Sequence, residues 1–176
     1  MKRYFVFSFL VLLSVICFAQ AQQSVLGINT NTTMKKFNKA LLAKGHKPTQ
    51  TAPGLYEYKV TYAGFPNCEM EVKFNNGNDS VLYVTIFFPH ESYTKDKTIF
   101  KNLTQQFKEK YGNESDWSDI NEMIGSKNQM KVYGKLKDNM ITVCLYYDDE
   151  DEEDGIVVQY RTRATIEKTV SVSPDI

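Results

Sequence analysis

The sequence predicts an α+β fold of two helix-plus-three-strand repeats, forming antiparallel sheet with the helices packed on one face. Three observations predict it. Apolar residues recur at spacings of three and four in two places, and glycine closes each run. Behind each run, apolar and polar residues alternate over three short stretches. Gly, Pro, Asn and Asp punctuate the stretches. The first repeat covers about 32–88 and the second about 94–161.

Thr32 or Thr33 is placed to cap the first helix, because a side-chain oxygen there accepts from backbone N–H groups that lack helical partners. Met34, Phe37 and Leu41 share one helical face, and Gly45 follows as a left-handed end. Residues 46–54, with Pro48, Pro53 and Gly54, read as a loop. Leu55–Tyr62 alternates, with Tyr56, Tyr58, Val60 and Tyr62 on one side. Ala63-Gly64-Phe65-Pro66 reads as a turn. Cys68, Met70, Val72 and Phe74 alternate with Glu69, Glu71 and Lys73. Asn75-Asn76-Gly77 reads as a tight hairpin, and Val81–Phe88 is apolar on both sides, as a central strand would be.

Thr94 is placed to cap a longer helix with a stripe of Ile99, Phe100, Leu103, Phe107 and Tyr111, closed by Gly112. Residues 113–128 read as polar and irregular, with the single tryptophan, Trp117. Strands are expected around Met130–Leu136, Ile141–Tyr147 and Ile156–Tyr160, and a loose tail from Ser171.

Residues 1–21 read as an export signal: Lys2 and Arg3, an apolar run from Tyr4 to Phe18, then Ala19-Gln20-Ala21. The run is shorter than the roughly 20 residues a spanning helix needs, which disfavours a retained anchor. Ile16 before Cys17 disfavours lipid attachment. The remaining 22–176 is expected to form a single α+β domain, periplasmic or secreted, with no integral membrane segment. Losing Lys2 and Arg3 leaves 19 basic residues against 21 acidic ones, a net charge of −2. That balance disfavours nucleic acid as a partner.

No catalytic constellation stands out. His46 and His90 lie in separate loops, and with Cys68 and Cys144 they make no metal-ligand spacing; no metal or cofactor is expected. Gly-x-Ser-x-Gly and phosphate-binding glycine loops are missing from the sequence. Glu69 and Glu71 could act as a carboxylate pair, although solvated alternation explains them too. The acidic run Asp148–Asp154 reads as a wet hairpin loop or a weak cation or partner contact. Asp79-Ser80-Val81 fits either a turn or an O-glycosylation triplet used on exported bacterial proteins. Strand parity puts Cys68 in the core and Cys144 on the outer face, which disfavours a disulfide.

The same parity leaves an open sheet face with Glu57, Lys59, Glu69, Glu71 and Lys73. The candidate binding residues on it are Tyr83, Phe87, Tyr133, Tyr146 and Arg161. Aromatics and arginine among charges are the composition of protein-binding hot spots. Cross-strand stabilisation is the other account of those aromatics.

Four stretches carry a resemblance: Leu26-Gly27-Ile28, Leu42-Ala43-Lys44-Gly45-His46, Tyr62-Ala63-Gly64-Phe65-Pro66-Asn67-Cys68 and Lys110-Tyr111-Gly112-Asn113. They resemble a family of small, uncharacterised exported proteins of gut-commensal bacteria. Its duplicated helix-plus-meander pattern is similar to the beta-lactamase inhibitor protein and to small outer-membrane assembly lipoproteins. The resemblance implies a binding or inhibitory module that uses a sheet face, and it transfers no functional residue. The expected function is therefore a non-enzymatic binding module, an inhibitor or an envelope-assembly factor, with a protein or a glycan as partner. The alternative is a small glycan or cell-wall hydrolase using paired carboxylates. The sequence leaves the oligomeric state open.

Overall fold

The computed structural model describes residues 23–112, 117–124, 127–136, 139–147 and 155–162. The stretch expected to be an export signal (with Cys17), the acidic run 148–154 and the tail from Ser171 lie outside the described residues. The chain is α+β. In order it runs β1 (Ser24–Val25), β2 (Ile28–Asn29), α1 (Met34–Ala43), β3 (Pro48–Ala52), β4 (Leu55–Tyr62), β5 (Phe65–Phe74) and β6 (Val81–Phe87). Then come α2 (Tyr93–Tyr111), β7 (Trp117–Ile124), β8 (Lys127–Leu136), β9 (Asn139–Tyr147) and β10 (Gly155–Arg161).

Strands β3 to β10 form one antiparallel eight-stranded sheet in the order β3-β4-β5-β6-β10-β9-β8-β7, and β1 and β2 form a separate ribbon. The two halves of the chain meet where β6 pairs with β10, through Ile86 opposite Val158 and Val84 opposite Tyr160. Val81–Phe87 is therefore central, as its two-sided apolarity requires. No helix among the described residues is long and apolar enough to cross a membrane.

Register explains which residues are buried. Tyr58, Met70, Ile86, Val158 and Val143 lie in one cross-strand row, and all five are buried. Val72, Val84, Tyr160 and Ile141 make the next row, and they are buried too. Apolar side chains side by side on a pleated face exclude water along the whole row, at roughly 1.5–3 kcal/mol for each fully buried residue. Helix residues join this core. Met34, Phe37 and Leu41 of α1 are buried, as are Phe100, Leu103, Phe107 and Tyr111 of α2. The Tyr58 hydroxyl donates to Asn38 of α1 at 3.0 Å, and the Phe107 ring meets the Tyr160 ring edge-on at 6.0 Å.

The cap of α1 is assembled from two parts of the chain. Thr33 Oγ1 accepts from the Lys36 N–H at 3.4 Å. Asp79 adds its carboxylate to the Lys35 N–H at 3.1 Å and its carbonyl to the Met34 N–H at 2.6 Å. A carboxylate there also suits the positive end of the helix dipole. Asp79 holds a left-handed φ of 57° to make both contacts. The Asp79-Ser80-Val81 triplet thus begins in a turn that caps the helix and leads into β6. At the other end Gly45, at φ 86°, lets the N–H groups of Gly45 and His46 close onto Leu42 and Leu41.

Several expectations need correction. The loop expected over 46–54 contains β3, and the irregular stretch expected over 113–128 contains β7. Each helix is thus followed by four strands rather than three. Both additions are the outer strands of the sheet. An outer strand needs no apolar face, and Pro48 is tolerated there because only one side pairs. The first turn is shorter than expected, with β5 starting at Phe65. The second reversal is longer, spanning Asn75 to Ser80 with paired backbone bonds at both ends. Thr94 lies inside α2; Ser92 is the cap residue and makes no side-chain capping bond.

Candidate binding face

Odd-numbered residues of β4, β5, β6 and β10 occupy the other side of the sheet. Three of the five candidate residues are described there with side chains. Phe87 is 36 % exposed, Arg161 is exposed and Tyr83 is half-buried. Register brings them together: Arg161 sits opposite Tyr83, and Phe87 sits between Glu69 and Val157. Tyr83 and Phe87 are four residues apart on one strand, roughly 13 Å. Tyr133 stands opposite Thr142, and Tyr146 opposite Gly155, in the backbone register. The side chains of Tyr133 and Tyr146 lie outside what the structure describes.

Polar groups tie the middle of this face. Arg161 Nε donates to Gln159 Oε1 at 2.7 Å, and Gln159 Nε2 donates to Thr85 Oγ1 at 3.2 Å. Lys73 Nζ stands 5.8 Å from the centre of the Tyr83 ring. Gln159, Thr85 and Val157 were not among the expected face residues. Their odd numbering in the central strands was the available indication.

Alternation along β9 places Thr142 and Cys144 on the open face rather than in the core. Both are buried, as is Thr85. They are short side chains in the inner strands, with longer residues such as Gln159 and Val157 beside them in register. Cys68 and Cys144 are not joined in a disulfide. They lie on β5 and β9, three strand spacings apart, roughly 14 Å, too far for a bridge. Burial pushes the Cys68 thiol up.

Toward the β4–β5 edge the face becomes acidic. Glu57 lies directly opposite Glu71, and Lys59 opposite Glu69. Burial raises the Glu71 carboxyl above its ordinary value, with further upward pushes from Glu57 and Glu69 and a smaller opposing pull from Lys73. These glutamates border a hollow of about 180 Å³ that Thr49 of β3 also lines. No group of three or more His, Cys, Asp or Glu side chains converges as a metal site would require, among the described residues.

His90 is an exposed loop residue, as expected, with one contact that the sequence does not signal. Its Nδ1 lies 2.7 Å from Oδ2 of Asp96, a buried carboxyl in the first turn of α2. The other oxygen, Asp96 Oδ1, has no hydrogen-bond partner among the described residues. The spacing of six residues carries no recognisable pattern in sequence.

The chain matches no protein-family model, no curated protein and no solved structure.

Proposed function

We propose that this chain is an exported, non-enzymatic binding module whose contact surface is the sheet face bearing Tyr83, Phe87 and Arg161. On this reading 1–21 is a cleaved leader, and the two helix-plus-four-strand units derive from an internal duplication. Their helices both cover the face with Met70, Val84 and Val158. The mirrored strand order about the β6–β10 seam supports the duplication. The resemblance to gut-commensal exported proteins and to the beta-lactamase inhibitor protein supports the same reading. An inhibitor or an envelope-assembly factor is the form it would take, with a protein partner.

One observation carries the proposal. An aromatic ring, a second aromatic and an arginine sit together on the two central strands, each paired on both sides, and a hydrogen-bonded polar chain runs between them. Rigid aromatics and arginine with a polar surround are the elements that interfaces use as anchors. The test is capture of envelope proteins on immobilised wild-type chain and on Phe87→Ala and Arg161→Ala chains. A partner recovered by wild type and lost by both variants supports the face. Equal recovery by all three would remove it.

A second reading retains one observation. The hollow beside Glu57, Glu69 and Glu71, with the Glu71 carboxyl raised by burial and its two glutamate neighbours, is the arrangement a carboxylate-pair hydrolase would need. Its volume is well below the roughly 300–1,000 Å³ of ligand pockets, which favours the binding module. Release of reducing sugar from cell-wall or dietary glycan, abolished by Glu71→Gln, would reverse that preference.

A further inference from the structure

We propose that a cleft beside Tyr62 and Tyr160 binds a small monocarboxylate with an apolar body. The cleft lies on the side of the sheet opposite the proposed protein-binding face, and it does not depend on that reading. It holds about 280 Å³ and lies between α2, the β1–β2 ribbon and the β4–β5 turn. Leu26, Ala63, Leu103 and Phe107 supply apolar wall. Lys110 and Gln106, both exposed, supply a cation and an amide at its rim. A volume just under the usual range for drug-sized ligands sets the scale as a small molecule.

The ligand chemistry follows from counting protons. Tyr62 and Tyr160 both line the cleft, and their hydroxyls are hydrogen-bonded to each other in a buried position. Burial raises both phenols far above their ordinary range, so both keep their protons. Two hydroxyl protons are then present, and the bond between the oxygens uses one. The second proton makes no further hydrogen bond among the described residues; the Tyr111 hydroxyl nearby donates to the Ser24 carbonyl at 3.4 Å. A buried donor without an acceptor is costly, so an acceptor arriving in the cleft is favoured.

The cation narrows the acceptor to an anion. Lys110 Nζ is held 4.7 Å over the Tyr111 ring, which limits its wandering at the rim. A carboxylate can accept the phenol proton with one oxygen and face the ammonium with the other, while its apolar body lies along Leu26, Leu103 and Phe107. The two turns that border the cleft are both left-handed at a non-glycine residue: Leu26 at φ 52° and Ala63 at φ 50°. Unfavourable conformations of this kind persist only where the surroundings enforce them. Here they hold two residues of the cleft wall in place.

The experiment is calorimetric titration of the purified protein with octanoate, octanol and acetate. Octanoate saturating one site, with octanol about ten-fold weaker and acetate silent, supports the proposal; a charge-assisted hydrogen bond carries a difference of that order. Gln106→Trp fills the cleft from an exposed position and Lys110→Met removes the rim charge, so neither threatens folding. The first should weaken octanoate at least ten-fold and the second about five-fold. No saturable octanoate binding to the wild-type protein would overturn the site. So would undiminished binding to the Gln106→Trp protein, or octanol binding as tightly as octanoate.

Discussion

The buried pair of phenols makes a prediction whose size can be worked out. Replacing Tyr160 by Phe removes one hydroxyl from a position with 1 % exposure and leaves the Tyr62 hydroxyl buried without its partner. The penalty is the desolvation of an unpaired hydroxyl, about 1–3 kcal/mol. Tyr62→Phe, at 8 % exposure, strands the other hydroxyl at a similar cost. The double substitution strands neither, because both partners become apolar in nearly the same shape. The double variant should therefore be less destabilised than the two singles together, with a coupling of about 1–2 kcal/mol between directly bonded groups. Urea unfolding followed by far-ultraviolet circular dichroism gives all four stabilities. In a chain of this size each kcal/mol also moves the thermal midpoint by about 2–4 °C. Additive losses, or single variants as stable as wild type, would refute the reasoning that these hydroxyls are each other's buried partner.

Two further predictions concern the sheet. A methyl group at Gly134 would stand 2.7 Å from two atoms of the Trp117 ring directly opposite it. Gly134→Ala should cost about 1–3 kcal/mol in urea unfolding, as an overpacked site does, and Gly134→Ala combined with Trp117→Leu should recover part of it. The Glu71 carboxyl is raised in the folded chain by burial and by Glu57 and Glu69. The folded state then holds its proton more tightly than the unfolded state, so this group's contribution declines as pH rises through the folded value. Glu71→Gln should be more stable than wild type at pH 7 by a few tenths of a kcal/mol, the scale of like charges facing each other across strands. The advantage should vanish at pH 3, and an advantage that grew on acidification would contradict the assignment.

The elements with a regular apolar stripe were legible in the sequence, and the two outer strands were not. Phe37 and Leu41, or Met70 and Val72, betray their partners by spacing, because each must enter the core. Pro48–Ala52 and Trp117–Ile124 sit at the two margins of the sheet. Nothing forces alternation on a strand paired on one side and wet on the other, so proline, serine and aspartate there read as loop. On the open face, parity put Tyr83, Phe87 and Arg161 together without knowledge of strand order. Parity could not show that Thr85, Thr142 and Cys144 would be shielded, because shielding depends on which strands become neighbours. The cleft was less legible still. Leu26, Tyr62, Lys110 and Tyr160 come from four separated stretches, and only the pairing of β6 with β10 brings the last beside the others.

That pairing also governs how the molecule is made. Val84 and Tyr160 are neighbours in the finished sheet yet roughly 75 residues apart along the chain, and contacts at such separation form only after the intervening loop has been drawn in. Each half can zip its own meander locally, but the middle of the molecule closes last, and until then two long apolar strand margins stand bare to water. Nascent chains caught at that stage would be sticky, so the step at which the halves join is where crowding and helper proteins act on the yield of folded material.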